Sequence, residues 1–103
     1  MEEEKELVAT FMGRSYERGL TTSTGGNLSM RVGSVMLITP SGLDKSSLTA
    51  EDIAEVDIET GENLTPEKKL SIETEMHRLI YIKRPDCVSV MHSHPTFCCL
   101  YSA

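Results

Sequence analysis

Leu28-Ser29-Met30-Arg31-Val32-Gly33-Ser34-Val35-Met36-Leu37-Ile38 sets two strand-like runs on either side of Gly33-Ser34. Leu28, Met30 and Val32 alternate with Ser29 and Arg31, the period of a strand. Glycine first in a two-residue loop suits a type II′ turn, so the stretch predicts a β-hairpin. Upstream, Glu2 to Arg18 carries Leu7, Val8, Phe11, Met12 and Ser15 at helical spacing behind an acidic first turn, which predicts an amphipathic helix stopped at Gly19. Downstream, Thr39-Pro40-Ser41-Gly42 forms a turn, and Thr49 with Asp52 caps one helical turn. Ala54, Val56 and Ile58 then alternate with Glu55 and Asp57 as a third strand, ended by Thr60-Gly61. The strongest helix signal runs from about Ile72 to Lys83, with Ile72, Met76, Leu79 and Ile80 as its buried stripe, Ser71 as its cap and Pro85 as its stop. Val88, Val90 and His92 alternate with Ser89 and Met91 as a strand ending at His94-Pro95, and Thr96 to Ala103 carry the pattern of a starting helix.

Composition bounds what such a chain does. At 103 residues, 39% hydrophobic and 25% charged, it fits one globular domain or part of one. The net charge of −6 and the lack of a basic run interleaved with aromatics argue against a nucleic-acid binder. The longest apolar stretch is about five residues, against the roughly 20 of a membrane span. The acidic N-terminus is unlike a signal peptide, so a cytoplasmic protein with no membrane contact is expected. Cys87, Cys98 and Cys99 are odd in number and lack C-x-x-C spacing, which predicts reduced thiols in the core and neither a disulfide framework nor a zinc knot.

Three groups of residues bear on chemistry. In an extended strand His92 and His94 project from one face and can grip one metal ion, the alternative being two surface histidines at a strand end. Glu73 lies at the start of the main helix, beside its apolar stripe. There it is an acid/base whose pKa desolvation raises, or a metal ligand, or a solvated first-turn carboxylate that favours the helix dipole. His77, one turn later, suits hydrogen bonding in support of Glu73 or the core more than ligation. Thr22-Ser23-Thr24-Gly25-Gly26-Asn27, Ser41-Gly42 and Ser71 offer close backbone approach, hydroxyls and a helix N-terminus. Together these can hold a phosphate monoester without a basic residue, while each taken singly is a turn or a cap.

The succession Thr24-Gly25-Gly26-Asn27-Leu28-Ser29, Ile38-Thr39-Pro40-Ser41-Gly42, Ser71-Ile72-Glu73-Thr74, Met76-His77 and His92-Ser93-His94-Pro95 resembles the class II aldolase/adducin family, whose members include L-fuculose-phosphate aldolase and ribulose-phosphate 4-epimerase. The resemblance covers nearly the whole chain but matches the front half of the family domain. It therefore implies that residues 1–103 are the N-terminal part of a single domain. It implies an α/β fold of three layers, α/β/α, around a mostly antiparallel sheet, assembled as a homotetramer with active sites between subunits. His92 and His94 become two of three zinc histidines, with manganese or cobalt as other candidates. Glu73 becomes the acid/base that also approaches the metal, and Gly26, Asn27, Ser41, Gly42 and Ser71 surround the substrate phosphate. The implied reaction is reversible cleavage of a phosphorylated ketose to dihydroxyacetone phosphate and an aldehyde.

Ile72 departs from the pattern, standing where many sugar-phosphate members carry a second serine. The third zinc histidine and a C-terminal tyrosine belong to the other half of the family domain. Glu73 leans away from the epimerase branch, whose members carry Asp there, while dehydratases share the metal chemistry. The adducin head shares the fold as an assembly module and is marked by loss of the metal histidines. An inactive fragment is the remaining alternative.

Overall fold

The computed structural model describes residues 2–18, 26–40, 47–93 and 96–101. The hairpin is present: β1 (Asn27–Val32) and β2 (Val35–Ile38) pair antiparallel, with Val32 opposite Val35. Gly33 has a φ of +60°, and among the described residues no non-glycine has positive φ, so the two loop residues match type II′. β3 (Ala54–Asp57) joins β2, β4 (Cys87–Ser93) joins β1, and β5 (Thr96–Tyr101) joins β4. The sheet order is β3-β2-β1-β4-β5 with every pairing antiparallel, which makes β1 the central strand. The expected turn before β3 is a 3-10 turn, Ala50–Asp52, entered through a reciprocal Thr49–Asp52 capping box.

The two helices cover opposite faces, giving the expected α/β/α layering. α1 (Glu2–Glu17) packs Val8, Ala9 and Met12 on Leu28, Leu37 and Ile53. α2 (Thr74–Lys83) brings Tyr81 onto Met36, Ile38, Ala54, Val56, Cys87 and Val90. Pleat alternation makes this possible, since Leu37 and Met36 leave β2 on opposite sides and both are fully buried. Among the described residues no helix is long and apolar enough to cross a membrane.

Several local expectations are corrected. α1 leaves Leu7 and Phe11 about half exposed, because the turn that meets the sheet is centred on Val8 and Met12. α2 starts at Thr74 and buries Thr74, His77 and Tyr81, whereas Ile72 is 94% exposed, Met76 52% and Leu79 44%. Of the expected stripe, Ile80 alone packs partly against the core. The reason lies beneath the helix. The α2-facing side of β1 carries Asn27, Ser29 and Arg31, and buried polar groups require partners that an apolar stripe lacks.

Val88 does not head the row leading to His92. The β4–β5 register shifts between Cys87 and Ser89, and Cys87 takes the core place alongside Val90. Residues 96–101 form a strand and not a helix, because pairing with β4 satisfies a row of backbone groups that would otherwise lie at a sheet edge. Cys87 and Cys99, expected as free thiols, are joined as a disulfide across that pairing, with Cα atoms 6.1 Å apart.

Arg31 ties α2 to the sheet. Its Nη2 donates to the carbonyls of Tyr81 at 2.6 Å and Arg84 at 3.2 Å, its Nε donates to the Cys87 carbonyl at 3.1 Å, and its guanidinium lies 4.9 Å from the Tyr81 ring centroid. These bonds close the end of α2 and the turn into β4 at once. Arg31→Ala is expected to cost roughly 2 kcal/mol, read as a lower urea midpoint at unchanged slope.

Candidate active site

Three elements converge at one end of the central strand. β1 contributes Asn27, β4 contributes His92 directly opposite it in the ladder, and the turn into α2 contributes Ser71 and Glu73. Gly26 precedes Asn27 with a φ of +78°, a left-handed conformation that glycine adopts without strain. This bend delivers the buried Asn27 side chain beneath the α2 entrance.

Ser71 works as a local cap one step ahead of the helix. Its Oγ accepts the Glu73 N–H at 3.0 Å and donates its own proton to Glu73 Oε2 at 2.6 Å. Asn27 Nδ2 donates to the same Oγ at 3.3 Å. Glu73 Oε1 faces His92 Nδ1 at 3.8 Å. The Ser71 hydroxyl is the main influence holding the Glu73 carboxyl below its usual value. Partial burial opposes it, while the Glu73 backbone and the two histidines reinforce it. The expected rise in the pKa of Glu73 is therefore corrected: the hydrogen bond from the Ser71 hydroxyl, with smaller help from the backbone, outweighs incomplete desolvation, and the group is a carboxylate at neutral pH.

His77 does hydrogen-bond, though to β1 and not to the Glu73 carboxylate. Its ring is fully buried, with Nε2 against Asn27 Oδ1 and Nδ1 2.7 Å from Ser29 Oγ. Burial, aided by His92, pushes its pKa down to about 4, so the ring is neutral at pH 7. Tyr81 Oη lies 2.8 Å from Ser29 Oγ, and burial pushes the phenol up to about 12.

Of the sequence-predicted site residues, Glu73, His92, Ser71, Asn27 and Gly26 come together here. His94, Ser41 and Gly42 lie outside the described residues, as do residues 22–25. Ser29 and Tyr81 were not among the candidates. The signal available was a serine in a strand that packs under a helix, and a tyrosine four residues after His77 on that helix's face.

The sequence model of the Class II Aldolase and Adducin N-terminal domain matches residues 6–103. A 3-oxo-tetronate 4-phosphate decarboxylase of Haemophilus influenzae is 38% identical over 96 residues, covering 91% of this chain and 44% of the relative. A methylthioribulose-1-phosphate dehydratase of Yersinia enterocolitica is 44% identical over 80 residues, covering 76% of this chain and 37% of the relative. The solved structure of an L-fuculose 1-phosphate aldolase superposes with a TM-score of 0.80 at 35% identity, covering 89% of this chain and 44% of that one. An antiparallel sheet between two helix layers is the fold this chain shares with that aldolase structure. The chain belongs to the class II aldolase/adducin family, and it spans less than half the length of the relatives it matches.

Proposed function

We propose that this chain carries the base and part of the metal and phosphate sites of a zinc-dependent aldolase, which cleaves a phosphorylated ketose to dihydroxyacetone phosphate and an aldehyde. The observation that carries the reading is the ionised Glu73 carboxylate, 3.8 Å from His92, with the donors of Asn27 and Ser71 beside it.

An imidazole facing a carboxylate is a donor pair that zinc takes and that manganese or cobalt accept, and it supplies part of a metal site: among the described residues no group of three His, Cys, Asp or Glu side chains is placed to hold an ion. His92 would hold the metal together with His94, with the Glu73 carboxylate approaching it. Bound there, a divalent ion supplies Lewis-acid polarisation of the substrate carbonyl. Glu73 enters as a base because its carboxyl is held ionised. In the condensation direction the ionised Glu73 carboxylate takes a proton from the carbon beside the carbonyl, that carbon bonds to the aldehyde carbon, and the proton is returned to the aldehyde oxygen, which becomes a hydroxyl; cleavage runs the same steps in reverse. Ser71 and Asn27, with Gly26, Ser41 and Gly42, supply N–H and O–H donors to the phosphate, the group that the names of all three relatives share. The reading includes a cytoplasmic homotetramer, as the family implies.

Two of those relatives are named a decarboxylase and a dehydratase, and this favours a second reading in which the same base and metal expel carbon dioxide or water. An adducin-like assembly role is disfavoured by the retained His92–Glu73 pair. The products decide between them. Incubation of the zinc-loaded protein with phosphorylated ketoses, and in parallel with a phosphorylated 3-oxo sugar acid able to lose carbon dioxide, is expected to release dihydroxyacetone phosphate in step with aldehyde from the ketoses. Loss of water or carbon dioxide without carbon–carbon cleavage between sugar carbons selects the second reading, and no reaction with any of these substrates removes both. His92→Ala is expected to lower metal content and turnover together, measured by elemental analysis after dialysis alongside the assay.

A further inference from the structure

Asn27 can serve an anion only if its amide turns the right end outward. The side chain has a donor end and an acceptor end, and nothing in its own shape prefers one orientation. The direction is settled by what lies behind it. Tyr81 keeps its phenolic proton, which burial obliges to find an acceptor, and Ser29 Oγ lies 2.8 Å away to take it. Ser29 Oγ, accepting there, sends its own proton to His77 Nδ1 at 2.7 Å. A neutral imidazole that accepts at Nδ1 must carry its hydrogen at Nε2, and that N–H donates to Asn27 Oδ1. The Asn27 amide nitrogen is thereby left facing Ser71, to whose Oγ it donates at 3.3 Å, and Ser71 passes its proton on to Glu73 Oε2.

We propose that Ser29, Tyr81 and His77 are positioning residues that fix the polarity of this chain, so that Asn27 presents N–H donors and not its carbonyl oxygen to a bound phosphate. The inference rests on the phosphate-binding reading above and extends it to residues that touch no ligand. Reversed polarity is sterically as easy: an Nδ1–H imidazole would accept from the Asn27 amide at Nε2, and the amide carbonyl would then face Ser71 and repel an anion. The hydroxyl pair of Ser29 and Tyr81, fully buried on the far side of the imidazole, disfavours that state, because once Ser29 accepts the Tyr81 proton its own proton is left for His77 Nδ1.

Nitrogen-15 NMR of the His77 ring at pH 7, together with titration by inorganic phosphate, tests the proposal. The wild-type ring is expected as the neutral Nε2–H tautomer. Ser29→Ala is expected to shift it toward Nδ1–H and to weaken phosphate binding about tenfold. Ser29→Thr, which keeps the hydroxyl, restores both. Tyr81→Phe, which leaves the Ser29 proton undirected, gives an intermediate mixture and serves where Ser29→Ala does not fold. An Nδ1–H or doubly protonated ring in the wild type overturns the polarity assignment, even if phosphate binds. So does a tautomer shift that leaves phosphate affinity unchanged. A wild-type Nε2–H ring with no phosphate binding overturns the phosphate reading instead, and leaves the direction of the hydrogen-bond chain standing.

Discussion

Glu73→Gln is expected to retain the metal while lowering turnover about 10²- to 10⁴-fold. Glutamine keeps the shape of the side chain and still sets an amide group toward His92 and Ser71, so the pocket stays filled and the histidines continue to carry the metal. It cannot take up the proton. The carboxylate starts in the form that can take it, with the Ser71 hydroxyl, at 2.6 Å from Oε2, helping to hold it ionised. The measurements are metal content after dialysis and turnover on the same preparation. Full activity with metal retained would assign the base elsewhere. This outcome separates Glu73→Gln from His92→Ala, in which metal and turnover fall together.

The second large effect is on stability in acid. His77 titrates near 6.5 in an unfolded chain and is pushed down to about 4 by burial in the fold. Between those values the unfolded chain binds a proton that the folded one refuses. The stabilisation from the neutral ring is therefore present in full above pH 6.5 and is lost as pH falls toward 4. The difference corresponds to roughly 3 kcal/mol. Glu73, whose carboxyl is also held low, acts in the same direction at still lower pH. Urea unfolding at pH 7.5, 5.5 and 4.5 is expected to show a falling midpoint, and His77→Gln should flatten that dependence. Equal midpoints across the range would mean that the ring is not held neutral in the fold.

The parts of the fold legible in the sequence are those that short-range chemistry governs. Gly33-Ser34 with its flanking alternation predicts the β1–β2 hairpin in its observed register, and Thr49 with Asp52 predicts the capped turn. Glu73 and His92 were recognisable as a pair because the Arg84–Cys87 connection is too short to carry β4 far from α2. The misreadings share a cause. Hydrophobic spacing places Ile72, Met76 and Leu79 on the inner face of α2, yet the helix turns His77 and Tyr81 inward. What lies under it is the polar row of β1, 48 to 52 residues away in sequence, and no periodicity within α2 reports that row. Residues 96–101 likewise carry a helix-like pattern locally, and their strand exists by pairing with β4.

The sequence by itself therefore determined the first four strands, the turns and the set of donors from which a site is built, since alternation, glycine and capping residues act over a few bonds. The tertiary structure alone decided which face of α2 is buried, that Glu73 is held ionised and not raised, and which way the hydrogen-bond chain from Tyr81 runs. Each of these depends on groups brought within a few ångströms by the sheet, where desolvation and hydrogen-bond partners, and not residue type, set the charge and direction of a side chain.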